Sequence, residues 1–172
     1  SVVNWENNGS EIKNFKFDNG KLRSVIRNER FYGLSGVTWT DVSSGLLSMR
    51  YVPKGFIFNA SGPTIFSDNN LIVLSSMNSK LISKYAEFLS PTLHFEVGQI
   101  QNYPIFQVTQ DIENNTKNLV KLSQVDWDSY EFSWDFTQNP IIRTQHSNLE
   151  QAFNTWQQQN ADAVAEMKRL EE

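Results

Sequence analysis

Leu46-Leu47-Ser48-Met49-Arg50-Tyr51-Val52-Pro53-Lys54-Gly55-Phe56-Ile57-Phe58-Asn59 is a run of strand formers with one interruption. Leu46 to Tyr51 reads as a strand stopped by Pro53, because proline cannot donate to a sheet ladder. Gly55 to Asn59 reads as a second strand, stopped by Gly62-Pro63. Val52-Pro53-Lys54 would then join the two as a hairpin. Beyond it, Leu71 to Leu74 is either a buried strand or the first turn of a helix, since four residues show no period. From Ser75 to Leu89 the pattern is plainer. Met77, Leu81, Ile82, Tyr85, Phe88 and Leu89 recur at helical spacing, and Pro91 should end that helix at about Ser90. Strands followed by helices predict an α+β fold with a mixed β core and packed helices.

The flanks fit that class. Residues 1 to about 28 are polar, with Asn8-Gly9 and Asn19-Gly20 turn signals and alternation in Phe15-Lys16-Phe17, the pattern of a short strand or hairpin. Thr92 to Val97 alternates as a strand, Ile100 to Pro104 makes a turn, and a weaker helical pattern runs from Ile112 to about Val125. Ser147-Asn148-Leu149-Glu150 fits a capping box, in which serine and glutamate satisfy orphan N–H groups reciprocally. Leu149, Phe153, Trp156, Asn160, Ala163, Met167 and Leu170 then repeat at alternating spacings of four and three. This seam suits either a coiled-coil arm or a long helix lying on its own domain, on the order of 39 Å in length. Residues 1–146 are thus expected to form the main domain and 147–172 a helical arm. An opening Ser1 and an uncapped Leu170-Glu171-Glu172 end suggest a segment of a longer protein.

Length and composition restrict the functions available. The 172 residues are 39% hydrophobic and 20% charged, enough for a real core. A mean hydropathy of −0.47 and a longest aliphatic run of four leave no membrane span, which needs roughly 20 apolar residues. No signal-peptide core is present either. The chain has no cysteine and two histidines, which removes disulfides, thiol catalysis and most transition-metal sites. A cytoplasmic protein is expected. The net charge of −4 hides a gradient: between Glu11 and Lys54 eight bases face four acids, whereas from Ser147 onward five acids face two bases. A basic front half is suited to an anionic partner.

Residues that would carry a reaction are missing. His94 and His146 lie in no nucleophile motif, and Gly33-Leu34-Ser35-Gly36 is one residue short of a nucleophile elbow. There is no P-loop and no dinucleotide-binding glycine pattern. Asp126, Asp128, Glu131 and Asp135 crowd around Trp127 and Trp134 at spacings of no recognised cation loop; they read as a solvated acidic turn held by two buried indoles. His94, between Leu93 and Phe95, reads as a structural residue.

Three ordered stretches carry a resemblance. The first is Phe31-Tyr32-Gly33-Leu34-Ser35-Gly36-Val37-Thr38-Trp39-Thr40-Asp41-Val42-Ser43-Ser44-Gly45, continuing through Ser48 to Phe58. The second joins Leu74-Ser75-Ser76-Met77-Asn78-Ser79-Lys80 to Leu89-Ser90-Pro91-Thr92-Leu93-His94-Phe95-Glu96-Val97-Gly98-Gln99-Ile100. The third comprises Trp127 to Glu131, Ser133 to Phe136 and Pro140-Ile141-Ile142. Together they resemble the region downstream of the methyltransferase core in large bacterial adenine-specific DNA methyltransferases: the PglX-type enzymes of BREX phage-defence systems and their type IIG-like relatives. That resemblance implies a target-recognition region. The family's glycine-rich S-adenosylmethionine loop and its Asn/Asp-Pro-Pro-Tyr/Phe tetrad have no counterpart here. Asn139-Pro140-Ile141-Ile142 lacks the second proline and the aromatic ring. The cofactor is therefore expected in the parent enzyme and not in this chain.

The resemblance implies double-stranded DNA as partner, together with the catalytic methyltransferase domain of the same polypeptide and other defence-system subunits. Thr38, Thr40, Ser43 and Ser44 offer hydroxyls for phosphate oxygens, and Arg23, Arg27, Arg30, Arg50 and Lys54 offer charge. An arginine can also bond guanine bidentately. Each has a plainer reading: Trp39 belongs to the core rather than forming a wedge, Arg50 could pair with a carboxylate, and Asn78 and Lys80 could simply cap and solvate a helix start. Two rival functions remain: a protein-interaction module docking through the C-terminal helix, and a carbohydrate-binding β domain with exposed tryptophans.

Overall fold

A computed structural model describes residues 3–89 and 94–172. The fold is α+β, with a small antiparallel sheet, several helices and a long final helix. Two units organise it, one of residues 1–70 and 80–103, the other of residues 71–79 and 104–172.

The first unit is built on strand β1 (Gly36–Thr38), with β2 (Arg50–Val52) and β3 (Thr64–Ile65) on either side in the order β2-β1-β3. Both pairings are antiparallel; Val37 faces Tyr51 on one side and Ile65 on the other. This corrects the expected hairpin. Leu46 to Met49 is not part of the strand, and Gly55–Asn59 does not pair with it. Pro53 ends β2, and the chain then turns so that Gly33 and the segment Gly55–Phe56 exchange backbone hydrogen bonds of 2.9 and 3.0 Å. Phe58 supplies a ring instead of a ladder. Trp5, Tyr32, Phe58, Phe66 and Phe31 form a chain of ring contacts at 4.8–5.3 Å that ties the N-terminal segment to the sheet.

Val37, Trp39, Leu47, Met49, Ile82, Phe95 and Ile100 form the buried interior of this unit. Trp39 is core, as its plainer reading held. Its indole N–H donates to the Phe95 carbonyl at 2.7 Å, and the Phe95 N–H donates to the Asp41 carbonyl at 2.7 Å.

Ahead of the sheet, helix α1 (Glu6–Asn14) occupies a stretch expected to be extended. Asn8-Gly9 does not make a hairpin; Asn7, Asn8 and Gly9 form a left-handed turn that opens the helix. Asn19-Gly20 does turn the chain, and Phe15–Arg23 folds back as a hairpin with Lys16 bridged to Leu22. A single turn of 3-10 helix follows at Glu29–Phe31.

Leu71 to Leu74 resolves as helix. Helix α2 (Asn70–Met77) and helix α3 (Lys80–Leu89) replace the one helix expected from Ser75 to Leu89. Asn78 and Ser79, whose side chains compete for backbone hydrogen bonds, interrupt it. The predicted apolar face is split as well. Met77 and Ile82 are buried, but Leu81, Tyr85, Phe88 and Leu89 are exposed. The helix end expected at Ser90, Pro91, Thr92 and Leu93 lie outside the described residues. Val97, expected to close a strand, instead opens helix α4 (Val97–Ile100), whose capping box joins Glu96 and Gln99. His94 forms a lone bridge with Val42.

In the second unit, α5 (Gln110–Trp127) matches the weaker helical pattern, capped by the Thr109 hydroxyl, which accepts from the Ile112 N–H. After α6 (Pro140–Arg143) comes α7 (Leu149–Glu171), about 34 Å long by helical rise. Helix α7 packs against α5 and α6, so the seam lies on its own unit. Its burial is uneven: Leu170 is buried, while Leu149 and Asn160 are exposed. The cap also differs from expectation. Asn148, not Ser147, is the N-cap, its carbonyl oxygen accepting from the Glu150 N–H at 2.8 Å. The acidic turn after α5 is likewise not held by buried indoles, since Trp127 and Trp134 are both exposed, Trp134 at 80%.

Candidate nucleic-acid interface

The cations singled out in the sequence sit on the first unit, at its surface. Arg50 lies on β2, an edge strand, directly across the ladder from Thr38. Facing partners share one side of a sheet, and Thr40, two residues further along, extends that side. The Arg50 guanidinium donates to the Thr40 hydroxyl at 2.8 Å. The alternative of a carboxylate partner for Arg50 is thereby replaced by a neutral one, which leaves the positive charge uncompensated. Thr38 uses its own hydroxyl internally, donating to the Pro63 carbonyl at 2.8 Å.

Lys54 follows Pro53 in the exposed turn beyond β2. Ser43 is half-buried, its hydroxyl accepting the Gly45 N–H at 3.1 Å, and Ser44 is exposed beside it. The serines therefore shape a turn, with only Ser44 presenting a side chain outward.

Arg23 and Arg30 are each laid on rings. The Arg23 guanidinium sits 4.8 Å from the Phe15 ring centre and 4.7 Å from that of Phe17, and Arg30 sits 4.8 Å over Phe31. Arg27 is exposed in the stretch between hairpin and 3-10 turn. Lys80 opens α3, exposed, in the first unit; Asn78 is exposed in the second. Among the described residues, ion pairs join Lys13 to Glu29, Lys84 to Glu87 and Arg169 to Glu166, and the His94 imidazole lies 3.9 Å from the Asp41 carboxylate. Arg23, Arg27, Arg30, Arg50, Lys54 and Lys80 pair with no carboxylate in that set. Such charges are free to neutralise the phosphates of a polyanion and release the counterions condensed on it.

The structure thus brings Thr38, Thr40 and Arg50 together and carries the others on the hairpin, on turns, on the 3-10 helix and around the start of α3. Sequence reading missed the rings under the arginines. Register decides it: a two-residue Asn19-Gly20 turn would set Lys16 opposite Arg23, whereas the observed three-residue loop of Asp18, Asn19 and Gly20 sets Phe15 opposite Arg23.

Groups able to carry a reaction do not gather anywhere described. No cluster of three potential metal ligands occurs among the described residues. A hollow of about 330 Å³ on α3, lined by Leu81, Lys84, Tyr85, Phe88 and Leu89, holds one ionisable pair partner, Lys84, already bound to Glu87. No described helix is long and apolar enough to cross a membrane.

Comparison with known proteins bears on the origin of this surface. No family model matches the chain. Adenine-specific methyltransferase PglX of Lacticaseibacillus casei (strain Zhang) is 36% identical to it across 99% of its residues. Adenine-specific methyltransferase BrxX of Escherichia coli O9:H4 (strain HS) is also 36% identical, across 82%. The chain is homologous to a segment of both. It spans 15% of the length of the first and 12% of the second. The similarity to the PglX and BrxX segments runs through both units of the fold, so the exposed cations and the helices belong to one homologous stretch.

Proposed function

We propose that this chain is the DNA-recognition part of an adenine-specific DNA methyltransferase and has no catalytic machinery of its own. The observation that supports the reading best is the near-complete homology to a small segment of proteins named adenine-specific methyltransferases. Chemistry needs a cofactor loop and a base-holding tetrad, neither of which is found in these residues, so S-adenosylmethionine would be held by the remainder of the parent enzyme.

Extruding an adenine from the stack costs a few kcal/mol, and an enzyme offsets that cost by gripping the flanking duplex. Arg50 is suited to the grip. Its fork is braced by Thr40, which reduces the entropy lost on binding, and its remaining N–H groups can reach a phosphate or a guanine edge. Lys54 adds a mobile point charge on the adjoining turn.

Fluorescence anisotropy with a labelled duplex tests this reading. Binding should be weak, and its logarithm should fall linearly with that of the salt concentration, by about 0.9 per phosphate contact. Failure to bind duplex even at low salt would overturn it. A docking role in a defence complex draws support from a different observation, the exposed ring cluster of Trp127, Tyr130 and Phe132 next to Trp134. Under that reading, Trp134→Ser abolishes assembly and leaves duplex affinity intact.

A further inference from the structure

We infer that one face of the Phe15–Arg23 hairpin is a second duplex-gripping element, a basic and aromatic quartet of Phe15, Phe17, Lys21 and Arg23. This rests on the DNA-recognition reading and adds three residues to it. The backbone fixes the grouping. Phe17 N–H donates to the Lys21 carbonyl and Arg23 N–H to the Phe15 carbonyl, each at 2.8 Å, while Lys16 bridges Leu22 between them. Alternation then puts Phe15, Phe17, Lys21 and Arg23 on one side and Lys16 and Leu22 on the other.

All four are exposed, Phe15 at 51% and Phe17 at 47%. Two half-exposed rings capped by a guanidinium form an apolar patch flanked by two cations. The charges suit an anionic partner, and such a patch can meet the sugar edge of a duplex backbone while phosphates meet the cations. Stacking on both rings also fixes the plane of the Arg23 fork before any partner arrives. The hairpin is anchored to the unit through the Ser24 hydroxyl, which donates to the Ile12 carbonyl at 2.8 Å.

Anisotropy titrations of the 172-residue chain with one duplex across a salt series separate the possibilities. Lys21→Ala with Arg23→Ala should lower the salt slope by about 1.8, two contacts at about 0.9 each. Phe15→Leu with Phe17→Leu should weaken binding roughly 2- to 5-fold at unchanged slope, because Arg23 loses its bracing rings. Lys168→Ala, on α7, should alter neither. Duplex binding unchanged in slope and affinity by both hairpin variants overturns the inference and leaves the recognition reading standing. A wild-type chain that binds no duplex overturns both.

Discussion

Trp39 and Gly36 show how closely the first unit is fitted around its sheet. The Trp39 indole is buried and donates to a carbonyl that is itself buried with Phe95. Trp39→Phe keeps most of the volume but orphans that acceptor, and should cost about 1–3 kcal/mol in denaturant unfolding. Gly36 sits where β1 meets β3. A methyl there would lie 2.7 Å from the Ile65 carbonyl oxygen and 2.7 Å from the Thr64 methyl. Gly36→Ala should therefore force the strands apart and destabilise by about 1–3 kcal/mol, read in the same experiment. Arg50 is the opposite kind of residue: exposed, bonded to one hydroxyl, and outside the core. Arg50→Ala should leave stability within about 0.5 kcal/mol of the parent while lowering duplex affinity and its salt slope. If stability fell and binding did not, Arg50 would be a structural residue. The core role of Trp39 was legible in the sequence because a large apolar ring between strand formers has few other places to go. Arg50's partner was not legible, because a hydroxyl two residues beyond a facing strand position appears only once the register is known.

Among the elements, α5 and α7 match their periodic patterns, whereas the pattern from Ser75 to Leu89 divides into two helices and the short strands were missed. Helix α5 and helix α7 follow apolar spacings over several turns, so their existence was secure. The sheet was misassigned because its strands are only two or three residues long, too short for alternation to register. Phe56, Ile57 and Phe58 look like strand formers, but Phe58 packs on rings and the segment joins no strand. Helix α1 was hidden by Asn7, Asn8 and Gly9, whose left-handed turn reads as an ordinary loop signal. The start of α7 gives a direct check on boundary physics. Asn148→Ala should cost about 1 kcal/mol, because the observed cap is lost, whereas Ser147→Ala should cost under about 0.5 kcal/mol; thermal unfolding of the two variants reads the difference. Near its end, α7 carries an exposed Glu166–Arg169 pair. The guanidinium hydrogen bonds hold the Glu166 carboxyl below its ordinary value of 4.5. Its contribution is therefore present above that value and lost as pH falls through the lowered one. Glu166→Gln should flatten this acid-side loss in a pH series of melting curves and change the neutral midpoint little.

At the level of the whole molecule, charge and exposure separate by unit. The candidate DNA-contacting cations cluster in sequence and fall on the first unit; the exposed rings after α5 and the acidic end of the chain fall on the second. The average charge of −4 conceals that division, which is why composition alone could not point to a polyanion. The kinship with adenine-specific methyltransferases was legible only through ordered motifs; the proposed recognition surface has no catalytic spacing to find, and its readers would be ordinary surface residues. The central claim is that this stretch chooses the DNA site at which a distant core transfers a methyl group. Exchanging the matching segment of the Lacticaseibacillus casei relative for this chain, then mapping methylated adenines across the host genome, tests it most directly. The account predicts that the methylated sequence changes with the segment. Methylation at the relative's original sites, to the original extent, would contradict it.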